Sequence, residues 1–457
     1  MQLSDRVINF KLNDSCRLLV NPMSGAIDLM PQKYLDGAIS ESQEKILRSR
    51  GYFMQESEMK DMSKRLLEIG QRHAQNVPYW FYILTTLNCN FQCPICYEKK
   101  VKTNADIASS VLNNIFSFIS EFQSAYQLSS EKIFLVVFGG DPLCVKNPEI
   151  IKSILIESAR RGWKVIVVTN GSQIKKFMRL FESYSSSVSH FRITLDGPEK
   201  IHNMRRPYLG GRGSFEDVIG AIDLLLQKGF LVKMQTILGA GTYDHLDEIF
   251  DILKKNGWLK ASNFEWRIEG SHDYANLDSE KDEITEGVMV KKIIDLVEAH
   301  PELQKKMRFE SFKYLAHIVS SFGWLGRYKT YWGPKIGFCE PQKGFHYVFS
   351  TDGNIYHCPR TINLSAFNLG TAAGGLTAEE KEIKHQAVFE RENCFSCPLN
   401  TLCGGGCIVQ KNYYPNFDCR TYATGIIEEF INLMKDKILA VSLPDQIVSI
   451  NQLWLTN

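Results

Sequence analysis

Apolar runs recur every few tens of residues between Tyr79 and Gly270: FYILTTL, IFLVVFGG, WKVIVVTNG, FRITLDG, FLVKMQTIL and NFEWRIEG. Helix-periodic stretches separate them, among them Ala108 to Phe122, Ile150 to Arg160 and Phe215 to Gln227. Strand-like runs alternating with helices predict parallel βα units, so residues 77–270 of this α/β chain are expected to form a partial (β/α)6 barrel of TIM type. Several strands end in polar or glycine-bearing turns, Gly139-Gly140-Asp141, Thr169-Asn170-Gly171 and Asp196-Gly197. Such strand ends are where βα architectures place their sites.

The flanks read differently. Residues 1–76 carry RVINFKL, then RLLVNPMSGAIDLM around a turn at Met23-Ser24-Gly25, then helical stretches near Ser42 to Arg48 and Ser57 to His73. This predicts a small winged-helix-like module, which is either a structural appendage or a binding element. Residues 271–334 are helical and charged, a bridge between regions. Residues 335–430 are rich in loops and cysteine, with one clear strand pair, HYVFSTDGNIYHC, hinged at Asp352-Gly353, so metal is expected to hold this part together. Residues 431–457 are expected to be a packing helix and tail.

The chain of 457 residues suggests about three domains, and its 44% hydrophobic and 23% charged residues are ordinary globular values. A net charge of +2, with Lys and Arg spread among acidic neighbours, implies no nucleic-acid partner. Apolar runs are too short for a membrane span, and the N-terminus lacks the basic and apolar regions of a signal peptide, so a cytoplasmic location is expected. Twelve cysteines are the anomaly, because thiols in a reducing compartment usually serve metal or catalysis. Cys16 and Cys144 stand outside the two cysteine groups and are expected to be small buried hydrophobes.

Cys89, Cys93 and Cys96 lie in CNFQCPIC with no histidine nearby. A structural zinc site needs four ligands, whereas three thiolates on an iron-sulfur cube leave one iron free to chelate a substrate. CxxxCxxC followed by Tyr97 after the first strand resembles the radical SAM superfamily. That resemblance implies a 4Fe-4S cluster on these cysteines. Electron transfer into S-adenosylmethionine would then release a 5′-deoxyadenosyl radical. Gly139-Gly140-Asp141-Pro142 resembles the family's GGEP turn, with Asp141 in place of the usual Glu. Tyr97, Thr169, Asn170, Thr194 and Asp196 match positions where the family's remaining cosubstrate contacts fall. His202, Arg205 and Arg206 near strand ends are substrate or cofactor candidates, with solvated loop residues as the alternative.

The second group runs from Cys339 through Cys358, Cys394, Cys397, Cys403 and Cys407 to Cys419. CxxC pairs also suit zinc knuckles. The whole spacing resembles the SPASM extension of radical SAM enzymes. It implies an outer auxiliary 4Fe-4S cluster on Cys394, Cys397, Cys403 and Cys419 and an inner one on Cys339, Cys358 and Cys407, three clusters in all. The stretch EPQKGFHY lacks the cysteine that completes the inner cluster in relatives, and His346 and Asp352 are candidates for that position. Gly404-Gly405-Gly406 fits close backbone approach to a cluster.

SPASM-bearing enzymes mostly act on peptides, and the N-terminal module, NPMSGAIDLM above all, resembles the leader-recognition element of ribosomal-peptide maturases. Such elements add an extended leader to a sheet edge. The resemblance therefore implies a precursor peptide with leader as partner, an electron donor such as flavodoxin or ferredoxin, and an intramolecular cross-link as product, thioether or carbon-carbon. Two alternatives stand beside it. One is an anaerobic sulfatase maturase, whose family places an Asp directly after the second SPASM cysteine; here Pro359 follows Cys358 and cannot move a proton. The other is a non-catalytic peptide-binding scaffold stabilised by metal.

Overall fold

The computed structural model describes all residues except 1–2, 38, 75–76, 99–104, 272–283, 326–333, 378–387, 389–390, 415, 444–445 and 452–457. Parts of the expected bridge and of the C-terminal tail therefore lie outside the described residues.

At the N-terminus, β1 (Ile8–Lys11), β2 (Cys16–Asn21) and β3 (Ala26–Pro31) form an antiparallel meander, followed by helices Lys33–Asp36, Glu41–Ser49 and Glu56–Ala74. The central sheet then begins with β4 (Tyr79–Leu84), β5 (Ile133–Phe138), β6 (Lys164–Thr169), β7 (Val188–Thr194), β8 (Val232–Leu238) and β9 (Phe264–Gly270). All neighbours among these six are parallel. The helices that follow them, such as Ser109–Ala125 and Phe215–Gln227, bury Ile115, Ile119, Ile222 and Leu225 against the sheet's outer face. Two further strands extend this sheet: β10 (Met307–Phe309) pairs parallel with β9, and β11 (His346–Phe349) pairs parallel with β4. The expected six-stranded partial barrel is thus widened by one strand from the bridge and one from the cysteine-rich region. It stays open because β10 ends the sheet.

Beyond β11 the chain turns at Gly353 into β12 (Asn354–Tyr356), as the Asp-Gly pair predicts, and continues through β13 (Gly370–Thr371) and β14 (Gly375–Leu376), all antiparallel. Helix Cys419–Leu433 packs on helix Glu286–Ala299. The last strand, β15 (Val448–Ser449), returns to the N-terminal module and pairs with β3. Its neighbour Asn451 accepts from Ile27 N–H at 2.9 Å and donates to Gly25 O at 2.6 Å. Arg50 bridges Asn451 to the fully buried Asp28, which also accepts from the Tyr52 hydroxyl. The C-terminal segment is therefore a fourth strand of the N-terminal sheet, and among the described residues the outermost strands there are β1 and the short β15.

Along each barrel strand alternate residues face inward. On β4, β5 and β6 these are apolar or aromatic, such as Trp80, Tyr82, Phe138 and Val168, whereas on β7, β8 and β9 they are Arg192, Lys233, Gln235, Arg267 and Glu269.

Candidate active site

A cavity of about 810 Å³ opens at the C-terminal ends of the barrel strands and runs down into the barrel. Cys89, Cys93 and Cys96 line it, and so do Cys339, Cys358 and Cys407 from the second group. Cys394, Cys397, Cys403 and Cys419 are not part of its wall.

The first cysteine loop leaves β4 and is clamped by the segment after helix Glu199–Arg205. Gln92 N–H donates to Pro207 O at 2.9 Å, Leu209 N–H donates to Asn90 O at 2.9 Å, and Phe91 meets Tyr208 edge to face at 4.6 Å. Phe91 N–H also donates to Cys89 Sγ at 3.4 Å, a contact that stabilises a thiolate. The Arg206 guanidinium lies within electrostatic reach of Cys93 and Cys96. Three thiols turned to one cavity, with an N–H and a guanidinium beside them, suit a group that carries negative charge, and the donor set fits an iron-sulfur cluster. Tyr97 stands at the rim with Arg360 5.9 Å from its ring centroid, and it feels both Cys96 and Cys358. One aromatic ring thus sits between the two cysteine groups.

The Gly139-Gly140-Asp141-Pro142 turn is pressed against the end of β4. Gly139 has φ +110, and a Cβ there would meet Leu84 Cδ1 at 2.0 Å; one on Gly140 would meet Asn88 O at 2.1 Å. Only glycine fits either position. Both glycines line the cavity, together with Thr169, Asn170 and Thr194. Asp141 does not. Its buried carboxylate accepts from Leu143 N–H at 2.9 Å, Thr169 Oγ1 at 2.8 Å and Asn170 N–H at 2.6 Å. These bonds tie the turns after β5 and β6 together. Pro142 is buried as the first residue of a short 3-10 turn, away from the cavity wall.

Asp196 is likewise held by groups of the protein itself. It is fully buried, accepts from Ile237 N–H at 2.8 Å and from Arg206 Nε at 2.8 Å, and lies 3.6 Å from Arg205. Burial alone would raise its carboxyl, but Arg206, Arg205 and the Ile237 N–H hold it below the ordinary value. Its role is to aim Arg206, which reaches the cavity wall. His202 is a structural residue: Nδ1 accepts from Asp196 N–H at 3.1 Å, Nε2 meets Ser214 Oγ at 3.1 Å, and burial pushes the ring down to about 4.

The second group of cysteines falls into two sets. Cys339, Cys358 and Cys407 act electrostatically on one another, and so do Cys394, Cys397, Cys403 and Cys419 in a chain that Cys419 links. Burial pushes the Cys339 thiol up to about 12 and Cys403 up to about 11, so both thiols are disfavoured as thiolates unless positive charge compensates them. No three His, Cys, Asp or Glu side chains among the described residues converge closely enough to hold a single metal ion. Gly404, Gly405 and Gly406 all have positive φ, and a Cβ on Gly404 would strike Gly337 at 2.5 Å; the run reverses the chain between Cys403 and Cys407. His346 lines the cavity beside Trp80, with ring centroids 5.0 Å apart. Asp352 does not, because its carboxylate accepts from Ser350 and Asn354 within its own turn. Cys16 is a buried residue of β2. Cys144 is only half-buried, sits close to Cys89, and its thiol is pushed up to about 12, chiefly by burial.

The charged lining deep in the barrel escaped the motif-based reading. Its signal was present as period-two polar positions in FRITLDG, FLVKMQTIL and NFEWRIEG, but alternation alone does not say that the polar face is enclosed.

Residues 83–253 match the Radical SAM superfamily. A cysteine-type anaerobic sulfatase-maturating enzyme of Clostridium novyi (strain NT) is 22% identical over 374 residues, 77% of this chain and 92% of that protein. Among solved structures, native anSMEcpe with bound AdoMet and Kp18Cys peptide is similar at TM-score 0.60 and 17% identity, over 80% of this chain and 99% of that one. Streptococcus suis SuiB bound to precursor peptide SuiA is similar at TM-score 0.55 and 12% identity, over 89% of this chain and 95% of that one. The chain thus carries a radical SAM domain within the expected α/β architecture. It is a radical SAM enzyme, a class that works with a 4Fe-4S cluster and S-adenosylmethionine. Among the described residues no helix is long and apolar enough to cross a membrane.

Proposed function

We propose that the chain is a cytoplasmic peptide maturase that removes hydrogen from a residue of a ribosomally made precursor and closes an intramolecular cross-link, either a thioether or a carbon-carbon bond. The observation that carries this reading is that one cavity receives both Cys89, Cys93 and Cys96 and Cys339, Cys358 and Cys407. Bound at the first trio, a 4Fe-4S cluster with S-adenosylmethionine supplies the hydrogen-abstracting radical. Gly139, Gly140, Thr169, Asn170, Thr194 and Arg206 line the space where the cosubstrate would be held, and Tyr97 closes its rim. Ring closure removes two hydrogen atoms from the peptide in total. One leaves on the radical; the other leaves as a proton and an electron.

Cys339, Cys358 and Cys407 would hold an inner auxiliary cluster and Cys394, Cys397, Cys403 and Cys419 an outer one; bound there, such clusters would supply an acceptor for this electron, with flavodoxin or ferredoxin as the external carrier. The N-terminal module would take the leader. With β3 paired to β15, an added strand either docks on β1 or displaces Val448–Ser449.

Similarity to sulfatase maturases over 77% of the chain favours a second reading, formylglycine formation. Against it stands Pro359, which lines the cavity next to Cys358 and has no proton to exchange. The test is anaerobic reconstitution followed by incubation with S-adenosylmethionine, a reductant and the peptide encoded beside the gene. About twelve irons per chain and a peptide lighter by two hydrogens, with no free aldehyde, are expected. An aldehyde on a sulfatase-derived cysteine or serine peptide would replace this reading with the second.

A further inference from the structure

The barrel floor contains polar atoms that nothing among the described residues satisfies. His190 Nε2, Arg192 Nε and Arg267 Nε are buried without a hydrogen-bond partner, and all three residues line the cavity. His190 is only 5% exposed. Buried polar atoms of this kind are rare in folded proteins, and each costs about 1–3 kcal/mol if left unmet.

The surrounding charge points to what is missing. The charged groups acting on His190 are Lys233, Arg192 and Arg267, all cations; with burial as the main cause they push its ring down to about 2, so it stays neutral. Its Nδ1 meets Ser189 Oγ at 3.1 Å, which leaves Nε2 as a donor when the serine hydroxyl donates to Nδ1. Arg267 is held by Glu310 at 3.3 Å and Glu269 at 3.7 Å, whereas Lys233 has Glu265 only at 3.9 Å. Arg192 lies within electrostatic reach of the Tyr82 hydroxyl, a neutral group. Arg192 pairs in register with Lys233, placing both on one level of the barrel wall, one inward step below Thr194. Cations crowded in a low-dielectric pocket attract an anion strongly.

We propose that His190, Arg192 and Lys233 form a subsite for a carboxylate of the peptide substrate, an Asp or Glu side chain, which anchors the peptide below the reacting residue. This rests on the reading of the substrate as a peptide. The planar guanidinium and the imidazole N–H offer hydrogen bonds to the two carboxylate oxygens, and Lys233 adds a point charge.

The test uses reconstituted holoenzyme saturated with S-adenosylmethionine. N-acetyl-glutamate α-amide should bind about tenfold or more tightly than N-acetyl-glutamine α-amide, as charge-assisted hydrogen bonds predict. That preference should disappear in Arg192→Gln and in Lys233→Gln and survive in Arg192→Lys, so that loss of charge is separated from loss of fold. Equal binding of the two amides, or a preference unchanged in both Gln variants, would overturn the subsite. So would competition between the glutamate amide and S-adenosylmethionine, which would make the anion the cosubstrate's own carboxylate. In a second arm, a randomised peptide pool is passed over immobilised holoenzyme. Retention of acidic peptides by the wild type and not by Arg192→Gln supports the subsite, and retention without charge preference overturns it. A glutamate-amide preference with no peptide retained would leave the subsite standing and sink the peptide reading.

Discussion

The two ends of the cavity are built on different principles. At the mouth, reactive thiols sit on loops whose shape is fixed by backbone hydrogen bonds and glycine turns: Cys89 beside Phe91 N–H, and Gly139 and Gly140 against β4. At the floor, charged side chains sit at alternate positions of straight strands, Arg192 on β7, Lys233 on β8 and Arg267 on β9. Loops allow close spacing of ligands in sequence. Strands give rigidity, since each inward side chain is held by neighbours on both sides. On the proposed function, the mouth would serve the generic chemistry and the floor the choice of substrate.

The largest break between the two ends should come from Cys93→Ala. With one thiol of the trio gone, reductive cleavage of S-adenosylmethionine should fall about a thousandfold or more, because every later step depends on it. Release of 5′-deoxyadenosine measures this, and a near-normal rate would remove the mouth from the chemistry. Cys358→Ala should separate initiation from completion: product formation falls about a hundredfold while cosubstrate cleavage changes only a few-fold, a loss on the scale seen for altered metal surroundings. Equal losses in both would show that the inner trio is needed for assembly rather than turnover.

Asp141→Ala sharpens the contrast from the structural side. It strands the donors of Leu143, Thr169 and Asn170, so urea unfolding should show about 3 kcal/mol of lost stability. A weaker apparent affinity for S-adenosylmethionine should accompany it, as the Thr169-Asn170 turn loosens. The smallest effect is expected at the floor. The unfolded chain protonates His190 near pH 6.5, whereas the folded chain resists until about 2, so stability falls as pH drops below 6.5. Between pH 7 and 5 this one ring should account for about 2 kcal/mol of lost stability, and His190→Gln should lack that part of the loss. An unchanged acid profile in the variant would mean that the ring is not held neutral among cations.

Much of the fold was readable before any coordinates. The six strands from Tyr79 to Gly270 and the hairpin at Asp352-Gly353 follow from runs long enough to carry a pattern. β10 and β15, three and two residues long, are too short for any period and exist only because β9 and β3 offer them an edge. Within the candidate site, spacing picks out the thiols, but it does not show that Asp141 and Asp196 are hydrogen-bonded within the protein. Sequence shows that a carboxylate ends a strand; it does not show which donors surround it.

What the chain determined by itself is therefore local: cysteine spacing, glycine positions where a Cβ has no room, and the alternation of apolar segments that makes parallel strands. The tertiary structure decided which residues from distant segments share one space. It set Cys339, Cys358 and Cys407 opposite Cys89, Cys93 and Cys96, closed the N-terminal sheet with β15, and turned the polar positions of β7, β8 and β9 into an enclosed cationic floor. The reason is physical. Spacing constrains neighbours along the backbone, while burial and charge crowding depend on every element that packs around a side chain.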